Sequence, residues 1–171
     1  VQQLVKDDTL FVAAADGGVR SLDLSDPERP VEVGHYGPHG AWQLARSGDV
    51  LYMVGALQWM FLLDASDPSD LRELGKIDAN TSTRVARAIA ASDGMAYVAL
   101  TGLDIVQEDT RDRLEVIDAS DPTAPADLRS YDGKVPSRPR QARVDGSELF
   151  VAGDGGLSVV QLPAAEDAVV L

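Results

Sequence analysis

The pattern Asp-x-Ser-Asp-Pro occurs three times in this chain, as Asp23-Leu24-Ser25-Asp26-Pro27, Asp64-Ala65-Ser66-Asp67-Pro68 and Asp118-Ala119-Ser120-Asp121-Pro122. Each copy follows an apolar run and precedes another. Asp and Ser side chains can bond backbone N–H groups two residues further on, and proline fixes φ and ends a strand. The pattern therefore predicts a tight turn between two strands. Calcium is the alternative, but two carboxylates and a hydroxyl fall short of the roughly six to eight oxygens that it takes.

An apolar strand that contains an aromatic residue gives the length of the repeat. Phe11 and Tyr52 are 41 positions apart, and so are Asp23 and Asp64. A fixed period near 40, with short strands bounded by Gly, Asp, Ser and Pro, predicts a solenoid or a propeller. The four copies of this strand are Leu10–Ala13, Leu51–Val54, Ala96–Ala99 and Leu149–Ala152.

Each repeat is predicted to hold four strands, a to d, so the chain is expected to be all-β. The whole chain is expected to be one domain, with repeats at about 1–40, 41–82, 83–136 and 137–171. The third repeat is longer because of an insertion at Gly102 to Asp112 between strands b and c. The fourth lacks the Asp-x-Ser-Asp-Pro turn, and its strand d is predicted at Ala168 to Leu171.

The stretch Leu114 to Pro122, which reads Leu-x-Val-Ile-Asp-Ala-Ser-Asp-Pro, resembles the LVIVD repeat. With Pro125 after it, the likeness recurs four times along almost the whole chain. The resemblance implies an all-β β-propeller of four-stranded antiparallel blades, with one blade for each repeat. Such propellers often belong to secreted or surface-anchored proteins, and the family brings no agreed catalytic residues. Propellers of this repeat type commonly have more than four blades. Either four blades close here, or the chain is part of a larger propeller and exposes two apolar blade faces.

The composition of the chain disfavours several classes of function. The net charge of −13, from 28 acidic and 15 basic residues, disfavours general binding to nucleic acid. The chain has no cysteine, which excludes disulfides and thiolate metal sites and fits an exported protein. No apolar run is long enough to span a membrane. Because the first residue is Val1, we expect either a removed leader or a longer parent chain.

Basic residues concentrate around strand a of the third and fourth repeats, near the predicted channel mouth. Arg87 falls opposite Trp42 in the repeat alignment, and a cluster of this kind can bind an anionic group through forked hydrogen bonds. The competing interpretation is that these arginines pair with nearby carboxylates. A metal on His35 and His39 is a weaker alternative. The predicted ligand-binding residues are Arg84, Arg87, Arg138, Arg140, Trp42 and His39, and Lys134 and Arg143 complete the basic cluster.

No enzyme motif is present, and no cofactor or metal is expected. The favoured function is a non-catalytic interaction or scaffold module of an extracellular, periplasmic or cell-surface protein that binds a protein partner or glycan through propeller loops. One alternative is an enzyme or small-anion-binding propeller with its site at the channel mouth, near Glu108. Another is a structural subunit that completes a propeller with another chain.

Overall fold

The computed structural model describes residues 3–55, 59–78, 84–102 and 112–162, and every regular element among them is a β-strand. The strands are β1 (Gln3–Lys6), β2 (Thr9–Ala13), β3 (Val19–Asp23), β4 (Val31–Tyr36), β5 (Gln43–Ser47), β6 (Val50–Val54), β7 (Trp59–Asp64), β8 (Arg72–Asp78), β9 (Arg84–Ser92), β10 (Met95–Gly102), β11 (Arg113–Asp118), β12 (Ala126–Asp132), β13 (Pro139–Asp145), β14 (Glu148–Gly153) and β15 (Gly156–Gln161).

Neighbouring strands pair antiparallel in chain order and form four separate sheets. Blade 1 is β1–β4, blade 2 is β5–β8, blade 3 is β9–β12 and blade 4 is β13–β15. The arrangement is a four-bladed β-propeller, which confirms the predicted fold class. The strand predicted at Ala168 to Leu171 and most of the predicted insertion lie outside the described residues.

The three Asp-x-Ser-Asp-Pro motifs form the same turn between the third and fourth strands of blades 1 to 3. In each, the first aspartate accepts a bond from the serine N–H two residues on, at 2.7 Å for Asp23, 2.9 Å for Asp64 and 2.9 Å for Asp118. The second aspartate accepts a similar bond, at 3.0 Å from Thr123 N–H to Asp121. The Thr123 hydroxyl also donates to Asp121 at 2.6 Å, and this bond together with the N–H bond holds the pKa of Asp121 below its ordinary value. Both carboxylates therefore serve the backbone of the turn.

Three apolar cores hold the blades together, one at each junction between consecutive blades. The core between blades 1 and 2 contains Phe11 and Phe61, and the core between blades 2 and 3 contains Tyr52 and Ile89. The core between blades 3 and 4 contains Tyr97. Within the described part of the chain, no such core joins blade 4 to blade 1.

Each blade has a forward face, toward the next blade in the chain, and a rear face, toward the preceding one. The forward face of blade 4 exposes Leu157 by 64% and Val159 by 51%. The residues at the same positions of blade 2, Met60 and Leu62, are both fully buried. The rear face of blade 1 is also uncovered, since Val5 is 61% exposed. The described residues thus leave one apolar face open at each end of the array.

Candidate functional site

A cavity of about 270 Å³ opens where the innermost strands of blades 2 and 3 begin, at the predicted mouth of the channel. Its polar walls are Trp42, Gln43 and Arg87, and the rest of the lining is small. The alanines of that lining are Ala13, Ala15, Ala41 and Ala86. Small side chains leave room for an incoming group, so the three larger residues determine what the cavity can bind.

The start of β5 is held in place by backbone contacts that bring blades 1 and 2 together. Ala41 N–H donates to the carbonyl of Ala15 at 2.8 Å, and Trp42 N–H donates to the carbonyl of Val54 at 2.9 Å. A Cβ atom at Gly55 would overlap the carbonyl oxygen of Gly40, so this crossing requires glycine. Backbone hydrogen bonds and this close backbone contact therefore hold the rim of the cavity in place.

Gln43 carries the one buried side-chain oxygen without a hydrogen-bond partner in the described part of the chain. Its Nε2 is 3.5 Å from the carbonyl oxygen of Arg140, across the channel, whereas its Oε1 has no donor. A buried polar atom without a partner costs about 1–3 kcal/mol, unless an incoming group satisfies it. The cavity thus offers a hydrogen-bond acceptor to a ligand.

Arg87 is exposed on β9, and no carboxylate among residues 3–55, 59–78, 84–102 and 112–162 pairs with it. The other predicted arginine at the channel, Arg140, differs in this respect. Its Nε donates to Asp154 Oδ1 at 2.5 Å and its Nη2 to Oδ2 at 3.2 Å, which raises the pKa of Arg140 and lowers that of Asp154. Arg140 therefore pairs with a carboxylate of the protein itself. Binding of an external anion remains a prediction for Arg87.

The other predicted arginines lie apart from the cavity lining. Arg138 has a positive φ of 48° and its N–H donates to Asp112 Oδ2 at 3.0 Å, so its backbone anchors the connection before β13. Arg84 is only 6% exposed and interacts electrostatically with Glu115. The structure brings Arg87 and Trp42 together at the cavity; Arg84 and Arg138 are not part of its lining.

The predicted histidines lie in the last strand of blade 1, in the case of His35, and on the connection after it, in the case of His39. The His39 ring stacks on Phe61, with 4.2 Å between ring centroids and 17° between planes. His35 is exposed on β4. Within the described ranges, no group of three or more His, Cys, Asp or Glu residues is placed to hold a metal ion.

Glu115 is a buried carboxylate between blades 2 and 3. Burial, together with the charge of Asp127, raises its pKa from 4.5 to about 7, although Arg113 and Arg84 act in the opposite direction. A perturbed carboxylate marks either a site or a structural ion cluster. Glu115 faces packed strands and not the channel-mouth cavity, which favours a structural role.

Glu115 should make the stability of the protein depend on pH. Because burial raises the pKa of Glu115 from 4.5 to about 7 in the folded state, its stabilising contribution is lost as the pH rises from about 4.5 to about 7, so the protein should be less stable at pH 8.5 than at pH 5.5. Glu115→Gln should remove about 1 to 2 kcal/mol of that fall, allowing for screening of the shift. Urea denaturation of both proteins at the two pH values measures the difference. Glu148→Gln, at an exposed position, is the control, and an unchanged pH dependence in Glu115→Gln would contradict the assignment.

Two of these features were not predicted from the sequence. Gln43 is adjacent to Trp42, so alignment of the repeats could have included it, but its unsatisfied oxygen depends on Arg140 of another blade. Glu115 occupies an apolar strand, and a charged residue in such a run is a signal that could have been noticed.

The repeats can also be compared with known families. A family model described as "LVIVD repeat" matches residues 4–37, 83–107 and 109–133. The chain carries LVIVD repeats. Those matched stretches fall on blades 1 and 3 and include two of the three Asp-x-Ser-Asp-Pro turns. No curated protein matches the chain.

Solved structures similar to this LVIVD-repeat chain share its fold at low sequence identity. The computationally designed Ika4 protein matches with a TM-score of 0.66 and 13% identity, over 94% of this chain and 89% of Ika4. BamB from Moraxella catarrhalis matches with a TM-score of 0.63 and 14% identity, over 94% of this chain and 42% of BamB. A europium-containing methanol dehydrogenase matches with a TM-score of 0.59 and 19% identity, over 78% of this chain and 24% of the enzyme. At these identities the likeness concerns the fold alone.

Among the residues that the structure describes, none belongs to a helix long and apolar enough to cross a membrane.

Proposed function

We propose that this LVIVD-repeat chain is a non-catalytic interaction module that binds an acidic segment of a protein partner at the channel-mouth cavity. The observation that carries the proposal is the grouping of Trp42, Gln43 and Arg87 around a cavity with a floor of alanines. An exported location, outside the cytoplasm, is part of the same proposal and is supported by the LVIVD repeats, which often occur in secreted or surface-anchored proteins.

The three side chains suit a peptide better than a bare anion. Arg87 offers a forked donor to a carboxylate, and Trp42, which is 38% exposed, offers a flat apolar surface. Gln43 Oε1 needs a donor, which a simple anion lacks and a peptide N–H supplies. An acidic residue within a peptide provides the acceptor and the donor together.

Arg87→Gln should weaken binding of acidic peptides by about ten- to a hundredfold, the usual loss when a charge-assisted hydrogen bond is removed. A display library of random peptides, selected on the wild-type protein, supplies the ligands, and titration of the enriched peptides supplies the affinities. Arg72→Gln is the matched control, because it removes the same charge from an exposed site on β8 where Arg72 pairs with Asp70. Selection of peptides without acidic residues, or equal binding by Arg87→Gln, would refute the proposal.

A small-anion site is the second candidate, because the Arg87 guanidinium has no carboxylate partner in the described part of the chain. Competition distinguishes the two functions. If acetate or citrate displaces the selected peptides completely at low millimolar concentration, the cavity is an anion site. If only acidic peptides compete, the partner is a protein, and competition by an acidic glycan would identify a glycan instead.

A further inference from the structure

The Asp-x-Ser-Asp-Pro turn of a blade docks under the outermost strand of the preceding blade. A Cβ atom at Gly75 of blade 2 would lie 2.5 Å from the carbonyl oxygen of Pro122 and 3.1 Å from that of Thr123, in the turn of blade 3. Gly34 of blade 1 meets Pro68 of blade 2 in the same way, and Ser21 Oγ donates to that carbonyl oxygen. The contact between turn and strand therefore needs a residue without a side chain.

The strand register identifies the corresponding residue of blade 3. Gly34 pairs with Ser21, Gly75 with Leu62 and Arg129 with Val116, each directly before a β-bulge. We call this place the receiving position. Glycine occupies it where the next blade carries the turn, and Arg129 occupies it where the next blade, blade 4, lacks the motif. In the three blades compared, glycine at the receiving position thus accompanies an Asp-x-Ser-Asp-Pro turn in the next blade.

Blade 1 carries a complete turn that docks on nothing in the described part of the chain. Its bonds match those of the other two turns, from Ser25 N–H to Asp23 at 2.7 Å and from Glu28 N–H to Asp26 at 3.2 Å. Pro27 is nevertheless exposed, whereas Pro68 and Pro122 are half-buried.

The apolar rear face of blade 1 is uncovered in the same manner. Leu10 and Val12 are only half-buried, although Leu51 and Met53 at the same positions of blade 2 are fully buried. Val5, on the same face, is 61% exposed.

We propose that the rear face of blade 1 receives a further propeller blade from outside the described residues, one that carries glycine at its receiving position, opposite the Pro27 carbonyl. The proposal goes beyond the channel-mouth function and concerns a different surface. The three internal junctions show how such a blade packs, because each uses the same rear face.

Charge specifies the partner blade further. At the junction of blades 1 and 2, Lys6 at the end of β1 forms an ion pair with Asp49 in the turn after β5. Asp8 occupies the place of Asp49 in blade 1, and no cation pairs with it among the described residues. The partner blade is therefore expected to end its innermost strand with a basic residue.

A second copy of this chain fits the surface poorly. Its free forward face belongs to blade 4, whose residue at the Lys6 position is Asp145, next to Asp8 in a head-to-tail contact. Two carboxylates would then meet where the internal junction has an ion pair.

The test uses the full chain with one added blade. A copy of residues 41–86 is fused ahead of Val1, which places a blade with glycine at its receiving position before blade 1. The matched control has the same extension with Gly75→Arg in the copied blade alone. Hydrogen–deuterium exchange then reports on β2 and β3, and circular dichroism reports on folding.

In the glycine version, exchange in β2 and β3 should be about tenfold or more slower than in the unextended chain, and the Gly75→Arg version should show no slowing. Equal protection by both versions, or by neither, overturns the proposal. So does an extension that unfolds the parent blades, because a face built for a blade tolerates one. Sedimentation of the unextended chain completes the test, since a dimer in which the rear face is protected would identify a second copy as the occupant.

Discussion

Replacing Phe61 with alanine should lower the free energy of unfolding by about 3 to 5 kcal/mol. Phe61 lies in the core between blades 1 and 2 and is 2% exposed. The substitution removes a large apolar side chain and leaves a cavity between two sheets that cannot move freely, because backbone bonds fix the connection at Ala41. The His39 ring also loses its stacking partner. Equilibrium denaturation in urea measures the change.

The control for Phe61→Ala is Leu157→Ala on the forward face of blade 4. Leu157 is 64% exposed, so its truncation should change the free energy of unfolding by less than about 0.5 kcal/mol. In blade 2 the same position holds Met60, which is fully buried. If Leu157→Ala destabilised the protein as much as Phe61→Ala, the forward face of blade 4 would be packed in solution, contrary to the structure.

The sequence predicted the strands and turns well because both are determined locally. Alternating apolar residues and Asp-x-Ser-Asp-Pro turns need only a few neighbouring residues to define them. The first and second aspartates of the motif bond the backbone as expected, at Asp64 and Asp67 for example. The repeat length then placed equivalent residues in register, and for that reason Arg87 and Trp42 could be paired before the fold was known.

The sequence gives less information on the arginine cluster, because the surroundings of each arginine depend on distant residues. Arg140 is paired with Asp154 across a hairpin, and Arg84 is buried near Glu115, which lies 31 positions further along the chain. Only Arg87 faces the cavity without a carboxylate in the described part of the chain. Clustering of basic residues along a sequence therefore gives little information on which of them can bind a ligand.

The two proposed binding surfaces lie on different parts of the propeller and can be tested separately. The cavity around Arg87 lies where innermost strands begin, whereas Pro27 lies in the turn that follows β3. A substitution at Arg87 should leave exchange in β2 and β3 unchanged. A blade added before Val1 should likewise leave selection of acidic peptides by the cavity intact.

Gly75→Ala should lower the free energy of unfolding by about 1 to 3 kcal/mol, the usual cost of overpacking. The added Cβ would lie 2.5 Å from the carbonyl oxygen of Pro122 and 3.1 Å from that of Thr123. Both are backbone atoms of the docked turn, so no side chain can rotate away. The junction between blades 2 and 3 would have to open by a few tenths of an ångström or more.

The sign of this effect is informative, because the lower conformational entropy of alanine in the unfolded chain would by itself stabilise the protein. Gly75 does not have a positive φ, and glycine to alanine at such a position stabilises by about 0.4 to 1 kcal/mol through the unfolded chain. Arg129→Ala is the matched control, since it lies at the receiving position of blade 3, where no Asp-x-Ser-Asp-Pro turn follows, and its effect should be close to zero. Urea denaturation of both variants decides the matter. If the free energy of unfolding of Gly75→Ala were unchanged or higher, the turn would not pack on this strand. The turn at Pro27 would then give no support to a further blade.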